Sequence, residues 1–284
     1  MEEKLISVII PTYNAEKTIE RAICSVEDPA VEIVVVLDGE QPETERICRG
    51  LAQNDARIQI LTQENQGCFV ARRNGMLAAK GKYIMNLDSD DAYMPHTIEH
   101  VKALIAKYDE PDLIRFRYQK EPEGYDQYHY FADGKEEHYL TKVDFRTQIY
   151  PMVLNGYQLN AMWTNCIKKE YLEKIKLEDI GVRGYGEDLI VNLEIFSDIQ
   201  NAVFSERICY RYITNLDSAT KSRDISKLLK NLEECITIYT SLYNYLERWE
   251  LDTKEYQKII RYRIQKETGS LIRLIQKEVD KLQK

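Results

Sequence analysis

The sequence lacks the patterns that define several large classes of protein. Its six cysteines show no CxxC spacing, which argues against a zinc site or a disulfide framework and predicts reduced thiols. No apolar run approaches the roughly 20 residues that a membrane-spanning helix needs. The acidic start, MEEKLISVII, lacks the basic segment and apolar core of a signal peptide. We therefore expect a soluble, cytoplasmic protein.

Motifs for nucleic acid and for the common nucleotide cofactors are also missing. With 47 acidic residues against 39 basic ones, and a net charge of −8, the chain is not a general nucleic-acid binder. No glycine-rich fingerprint follows the first predicted strand and no P-loop is present, which disfavours a nicotinamide or flavin domain. The four histidines form no metal pattern beyond His96 and His100 at helical spacing. A small anionic ligand held through a metal remains compatible with this composition.

What the sequence does contain is a regular alternation of strands and helices. Apolar, β-branched runs predict strands at 6–10, 31–37, 57–61, 83–87 and 112–118. Helical patterns between them begin near Asn14, Pro42, Cys68 and Pro95, and helical stripes continue from about Asp224. We therefore predict an α/β fold with a doubly wound, mostly parallel sheet, helices on both faces and a C-terminal helical extension.

Polar segments follow the predicted strands. In sheets of this kind ligands bind beyond the carboxyl ends of the strands, so these segments lie where a ligand would bind. The last of these is DSDD, which places Asp88, Asp90 and Asp91 within four residues. Carboxylates this close repel one another unless a cation neutralises them or they point into water. The residues alone leave two alternatives, a metal site and a solvated acidic turn.

Four segments in order carry a resemblance to a known family. SVIIPTYNAEKTIERAICSV, EIVVVLDGEQPET, NQGCFVARRNGMLAAKGKYIMNLDSDDAYMP and GYGEDLIVNLEIF resemble the motifs of family 2 inverting glycosyltransferases, which have the GT-A fold. The match is close over about residues 5–100 and loose over 160–215. It implies a nucleotide-sugar-binding half at 1–100, an acceptor-binding half at 101–220 and the helical extension at 221–284.

The resemblance implies that Asp88, Ser89 and Asp90 form the DxD motif of the family, which holds a divalent metal. Asp90 is the expected direct ligand, together with Asp88, and Asp91 is expected to be structural, facing the helix near Pro95. Mg²⁺ or Mn²⁺ suits this role because both prefer carboxylate and phosphate oxygens.

The donor nucleotide is implied to contact a set of residues from the first three motifs. They are Pro11, Thr12, Tyr13, Asp38, Arg72, Asp88 and Ser89. Asp38 corresponds to the aspartate that contacts the base, although Leu37 replaces a second aspartate usual in the family, and a simple turn is the alternative. Tyr13 could instead be a core aromatic. Arg72 corresponds to the arginine of the family's ARN motif, but Arg73 follows it, so either arginine could face the site.

The general base is implied to be Asp188 of the pair Glu187–Asp188, with Glu187 orienting it or binding acceptor. Acids are also common at helix N-termini because of the helix dipole, which is the alternative. Trp163, Tyr185 and Arg211 are candidate acceptor or phosphate contacts. Trp163 could equally be a core residue, and Arg211 an outward residue of a strand.

The resemblance implies an inverting hexosyltransferase that uses a nucleotide diphosphate sugar, commonly a UDP-sugar. Its acceptor would be a glycan or lipid-linked molecule, as in polysaccharide biosynthesis. The alternatives are an inactive nucleotide-sugar-binding domain or subunit and, more weakly, a nucleotidyltransferase. The basic last helix could contact an anionic membrane or a protein partner, or simply be a solvated face, and a homodimer is a further partner hypothesis.

Overall fold

The computed structural model describes residues 4–122, 129–156, 159–175, 185–214 and 224–282. Its strands are β1 Ile6–Thr12, β2 Glu32–Asp38, β3 Ile58–Gln63, β4 Tyr83–Asn86, β5 Ala92–Tyr93, β6 Leu113–Glu121, β7 Glu137–Thr141, β8 Asn165–Lys168 and β9 Asn201–Ile213. Its α-helices are α1 Ile19–Cys24, α2 Pro42–Asn54, α3 Cys68–Ala78, α4 Thr97–Lys107, α5 Lys142–Asp144, α6 Tyr150–Asn155, α7 Lys169–Lys174, α8 Glu187–Asp198, α9 Ile225–Arg248 and α10 Lys254–Leu282. A π-helical turn, Phe145–Ile149, joins α5 to α6.

One sheet runs through the structure in the order β3-β2-β1-β4-β8-β6-β9-β5, with β7 also paired to β9. Strands β3, β2, β1 and β4 are parallel, as crossover helices between consecutive strands require. β6 and β9 are also parallel, while β8, β5 and β7 add antiparallel pairs. The predicted α/β fold, with helices on both faces of the sheet, is confirmed.

Two apolar cores lie on opposite faces of the sheet because successive strand residues point to opposite sides. Ile9 and its neighbours in β2 pack against α3, α8 and α9. Val8 and Ile10 pack on the other side with α1 and α4. β1 and β2 are buried along their whole length, which explains their nearly continuous apolar sequence. The two cores hold the strand ends, and therefore the segments that follow them, in fixed positions.

The predicted helical extension consists of α9 and α10, which pack against each other. α9 also packs against α8, and the core on that side includes Cys235, Ile238 and Leu242 of α9. Within the described ranges, none of the helices combines the length and apolar character needed to cross a bilayer.

Two helix starts differ from the sequence prediction. α1 begins at Ile19 rather than next to Asn14, which has a φ of 49° and whose N–H donates to the side chain of Gln41. α4 begins at Thr97, preceded by His96 in the left-handed conformation, rather than at Pro95. In both cases a turn separates the strand from its helix, and the turn after β1 holds Tyr13 and Asn14 at the carboxyl end of that strand.

Candidate active site

The ends of β1, β2 and β4 bring three of the sequence motifs to one edge of the sheet. Pro11 and Thr12 are buried at the end of β1, where they pair with Val36 and Leu37 of β2. Tyr13 follows them and is 54% exposed, so it is not a core aromatic. An open aromatic face at this edge can stack on a nucleobase.

Gln41, which lies outside the predicted site residues, fixes the segment that carries Tyr13. Its Nε2 donates to the carbonyl of Thr12 at 2.8 Å, and its Oε1 accepts from the N–H of Asn14 at 2.9 Å. Gln41 is 4% exposed. No motif around Gln41 signals this role, because it depends on the turn after β1 approaching the start of α2.

Asp38 is buried, and its carboxylate organises the loop between β3 and α3. Its Oδ1 accepts from the Gln63 side chain and from the N–H of Gln66, both at 2.8 Å, and its Oδ2 accepts from the N–H of Gly67 at 2.8 Å. Asp38 is 3% exposed. Each carboxylate oxygen has two lone pairs, so these bonds leave capacity for a further donor such as a base N–H.

Arg72 joins residues that lie far apart in the sequence. Its guanidinium donates to Asp88 Oδ1 at 2.7 Å and to Asp188 Oδ1 at 3.1 Å, and its side chain is only 7% exposed. This geometry brings together α3, the DSDD segment and the start of α8. Arg72 therefore faces the predicted site.

Glu187 and Asp188 form the first turn of α8, after Gly186 at a φ of 72°. Asp188 Oδ2 accepts from the N–H of Met162 at 3.2 Å. Burial raises the pKa of Asp188, and Arg72 opposes that rise. Burial and the neighbouring Asp188 raise the pKa of Glu187 as well. A fixed carboxylate with a raised pKa has the properties of a general base.

The three carboxylates of DSDD have different environments. Asp91 is 1% exposed, and it accepts from the Tyr210 hydroxyl and from the N–H of Ile213, each at 2.7 Å. Burial, with a smaller effect of Asp88, raises the pKa of Asp91 to about 8. Asp91 thus contacts β9 rather than the helix near Pro95 that was its predicted neighbour.

Asp88 and Asp90 are left as the accessible pair of this segment, with half-buried Ser89 between them. The N–H of Asp88 donates to the Tyr210 hydroxyl at 3.2 Å. The guanidinium of Arg21 donates to the backbone carbonyl of Asp90. Burial and the charge of Asp88 raise the pKa of Asp90, so a cation placed here would relieve an unfavourable interaction.

The donor set fits a hard divalent cation. Among the described residues, no group of three or more ligating side chains converges as a complete protein cage. Mg²⁺ sites in nucleotide enzymes commonly use only one or two carboxylates together with phosphate oxygens and water. Asp88 and Asp90 match that pattern, and a bound diphosphate would complete it.

Trp163 lies in a cluster of aromatic residues beside the DSDD segment. Trp163 is half-buried, and its ring stacks on those of Tyr210 and Tyr212, with ring centroids 4.4 and 5.7 Å apart. It also makes an edge-on contact with the ring of Tyr118, at 4.8 Å between centroids. Since Tyr210 also bonds Asp88 and Asp91, the cluster is joined directly to the acidic motif. The preceding residue, Met162, supplies the N–H that binds Asp188.

Two of the candidate contacts have other partners. Arg211 forms a bidentate ion pair with Glu121 at 2.9 and 3.0 Å. The N–H of Tyr185 donates to Glu234 of α9 at 2.9 Å, and the Tyr185 ring packs against the core. Among the described contacts, none joins either side chain to Asp88 or Asp188. Residues 181–184 of the glycine-containing segment before Tyr185 lie outside the described ranges.

Comparison with known proteins assigns a family to more than half of the chain. Residues 7–164 match the family model described as glycosyl transferase family 2. The glycosyltransferase GlyA of Streptococcus pneumoniae is 26% identical over 251 residues, covering 86% of this chain and 36% of GlyA. EpsJ of Bacillus subtilis, an uncharacterized glycosyltransferase, is 27% identical over 248 residues, covering 85% of this chain and 70% of EpsJ. This chain thus spans about a third of the length of GlyA.

Solved structures share the fold at low sequence identity. TarS 1-349 of S. aureus in complex with UDP-GlcNAc matches with a TM-score of 0.63 and 16% identity, over 95% of this chain and 81% of that one. The mannosyltransferase PcManGT of Pyrobaculum calidifontis, in complex with GDP-Man and Mn²⁺, matches with a TM-score of 0.57 and 13% identity, over 97% and 74% of the two chains.

Proposed function

The chain belongs to glycosyltransferase family 2, and from this premise we propose that it is an inverting hexosyltransferase that uses a UDP-sugar. The acceptor is a hydroxyl of a glycan or a lipid-linked glycan. The observation that carries the proposal is the contact of Arg72 with both Asp88 and Asp188, because one side chain joins the DSDD segment to the candidate base.

The protein residues have separate tasks in this mechanism. Asp188 accepts the proton of the acceptor hydroxyl as that oxygen forms its bond to the anomeric carbon. The bond from the anomeric carbon to the diphosphate oxygen breaks on the opposite side, and its electron pair leaves with the nucleoside diphosphate. Arg72 keeps Asp188 oriented and holds Asp88 in place. Direct displacement of this kind inverts the configuration of the sugar.

Asp88 and Asp90 would hold a divalent cation, Mg²⁺ or Mn²⁺. When bound, the cation supplies positive charge that stabilises the departing diphosphate. Tyr13 offers an exposed ring to the nucleobase, and Asp38 has remaining acceptor capacity for a base N–H. The PcManGT structure, which is a complex with GDP-Man and Mn²⁺, supports metal-dependent use of a nucleotide sugar in this fold.

A saccharide acceptor fits the aromatic cluster of Trp163, Tyr118 and Tyr212. The C–H faces of sugar rings pack on aromatic side chains, and these three rings remain partly exposed beside the acidic motif. The adjacent Met162 anchors Asp188, so an acceptor on this cluster would lie close to the proposed base.

The alternative is a nucleotide-sugar-binding domain without turnover. A binding domain needs the diphosphate site but has no use for a partly buried carboxylate with a raised pKa. Asp188 has that property and is held by two separate hydrogen bonds, which favours the enzyme.

A donor screen tests the proposal. UDP- and GDP-sugars are incubated with Mg²⁺ or Mn²⁺, and release of the nucleoside diphosphate is measured for the wild type, Asp90→Ala and Asp188→Asn. We expect Asp90→Ala to lose metal-dependent nucleotide binding. We expect Asp188→Asn to bind nucleotide but not to transfer the sugar. Asp198→Asn is the matched control, since Asp198 lies at the other end of α8 and pairs with Arg248.

Equal turnover by the wild type, Asp90→Ala and Asp188→Asn would refute the mechanism. Failure of the wild type to bind any nucleotide sugar would refute the proposed function as a whole. Nucleotide binding without turnover in the wild type, with every donor and with glycan acceptors, would favour the binding domain.

A further inference from the structure

The exposed side of α10 is strongly basic, although the chain as a whole carries a net charge of −8. Its exposed bases are Lys254, Lys258, Arg261, Lys266, Arg273, Lys277 and Lys281. The exposed acids of the same helix are Glu255 and Asp280. The sign of the local charge is therefore opposite to that of the whole molecule.

The opposite side of α10 is fixed against the protein, so the basic side faces outward. Ile260 and Leu271 are buried in the core shared with α9. Arg263, which is 4% exposed, donates to the carbonyls of Val153 and Leu154 in α6. Because these residues recur at helical spacing, α10 cannot rotate its basic side inward without breaking these contacts.

Apolar side chains lie among the bases. Tyr262 is 64% exposed and Ile272 is 53% exposed. Lys258 and Lys266 lie one helical turn on either side of Tyr262, so all three share one face. A cluster of about four to eight Lys and Arg residues on an amphipathic helix is the composition that binds anionic lipid headgroups.

We infer that the outer face of α10 binds the surface of an anionic phospholipid bilayer. With 29 residues, α10 is about 43 Å long, so its bases can contact several lipid headgroups at once. Tyr262 and Ile272 would enter the headgroup region while the bases pair with lipid phosphates. The remaining surface, with its excess of acids, would face away from the bilayer and thereby set the orientation. This inference does not depend on the proposed enzymatic function.

The proposal requires binding that depends on lipid charge. The full chain is mixed with vesicles of phosphatidylcholine alone or of phosphatidylcholine with phosphatidylglycerol, and the vesicles are sedimented. We expect sedimentation only with the anionic vesicles. Raising the salt to about 1 M, where the Debye length is about 3 Å, should release the protein.

Neutralising part of the basic face gives the decisive comparison. The four substitutions Lys258→Gln, Arg261→Gln, Arg273→Gln and Lys277→Gln remove exposed bases of α10. Each base near an anionic surface changes the partition by about fivefold, so the four substitutions together should lower it by several hundredfold.

The matched control removes the same charge elsewhere on the surface. Arg46→Gln, Arg49→Gln, Lys80→Gln and Lys135→Gln change side chains that are 57 to 71% exposed. The control should sediment like the wild type. Tyr262→Ser should weaken binding without changing its salt dependence.

Two results would overturn the inference. One is that the wild type does not sediment with anionic vesicles. This result overturns the inference even if the protein binds an acidic protein or a nucleic acid instead. The other is equal loss of vesicle binding in the α10 variant and the matched control, which would make net charge rather than this face responsible.

Discussion

Replacing Arg72 by Met should uncouple the two acidic motifs of the candidate site. The guanidinium is nearly buried and contacts Asp88 and Asp188 at 2.7 and 3.1 Å. Met has a similar length and an apolar side chain, so it can fill much of the space of Arg72 without supplying a donor or a charge. Both carboxylates would then lose their cation while remaining close to each other.

The magnitude follows from the exposure of the three groups. Removing one partner of a buried ion pair costs about 3–5 kcal/mol, whereas an exposed pair is worth about 0–1 kcal/mol. The side chains of Asp88 and Asp188 are 24% and 23% exposed, so solvent screens part of the effect. We expect a loss of about 2–3 kcal/mol in unfolding free energy at pH 7 without metal. That corresponds to a fall in Tm of about 3–5 °C for a chain of 284 residues.

The loss should depend on pH in a known direction. Arg72 lowers the pKa of Asp188, so its removal raises that pKa further. As the pH falls through the raised value, Asp188 becomes neutral in the folded variant and the repulsion disappears. The stability difference between the wild type and Arg72→Met should therefore shrink as the pH is lowered from 7.

Thermal unfolding with a chelator present measures this difference, and release of the nucleoside diphosphate measures activity. We expect Arg72→Met to lose about 100-fold in kcat/KM, the typical effect of one electrostatic contact in an active site. Arg49→Met is the matched control, because it removes the same charge from an exposed side chain of α2 and leaves the two ion pairs of Arg72 in place. If the two variants were equal in stability and activity, the assigned role of Arg72 would be wrong.

Two further predictions concern the neighbourhood of the site. Gly186→Ala should lower kcat and cost about 1–3 kcal/mol of unfolding free energy. The reason is that Gly186 has a φ of 72° and that an added Cβ would lie 2.9 Å from Ile238 Cδ1. A variant that matches the wild type in an activity assay and in thermal unfolding would contradict this prediction. Asp91 has a folded pKa near 8, above its unfolded value, so its contribution to stability is complete below about pH 4 and is lost as the pH rises through 8. In metal-free urea unfolding, the unfolding free energy of Asp91→Asn should rise relative to that of the wild type between pH 5 and pH 8, by at most about 1.4 kcal/mol per pH unit. A difference that stays constant with pH would contradict a buried, neutral Asp91.

The parallel half of the fold could be predicted because three of its strands, β1, β2 and β4, are buried on both faces. Such strands read as continuous apolar runs, and β2, all of whose residues are buried, is the clearest case. Helix starts were less predictable. Asn14 is a common type of N-cap residue, but the turn after β1 uses it in a left-handed conformation instead.

The residue types of the candidate site could be chosen from the motifs, but their partners could not. The contact between Arg72 and Asp188 spans 116 positions, and that between Tyr210 and Asp91 spans 119. No local periodicity encodes such distances, since they result from the order of strands in the sheet. For the same reason no local pattern marks Tyr210 or Gln41, whose importance lies in contacts made after folding.

The stereochemistry of donor hydrolysis tests the central claim most directly. The wild type is given an α-linked UDP-sugar that it accepts, and the released sugar is observed by proton NMR before its two anomers equilibrate. Direct displacement with Asp188 as the base predicts that the β-anomer forms first. Initial formation of the α-anomer would contradict the proposed mechanism.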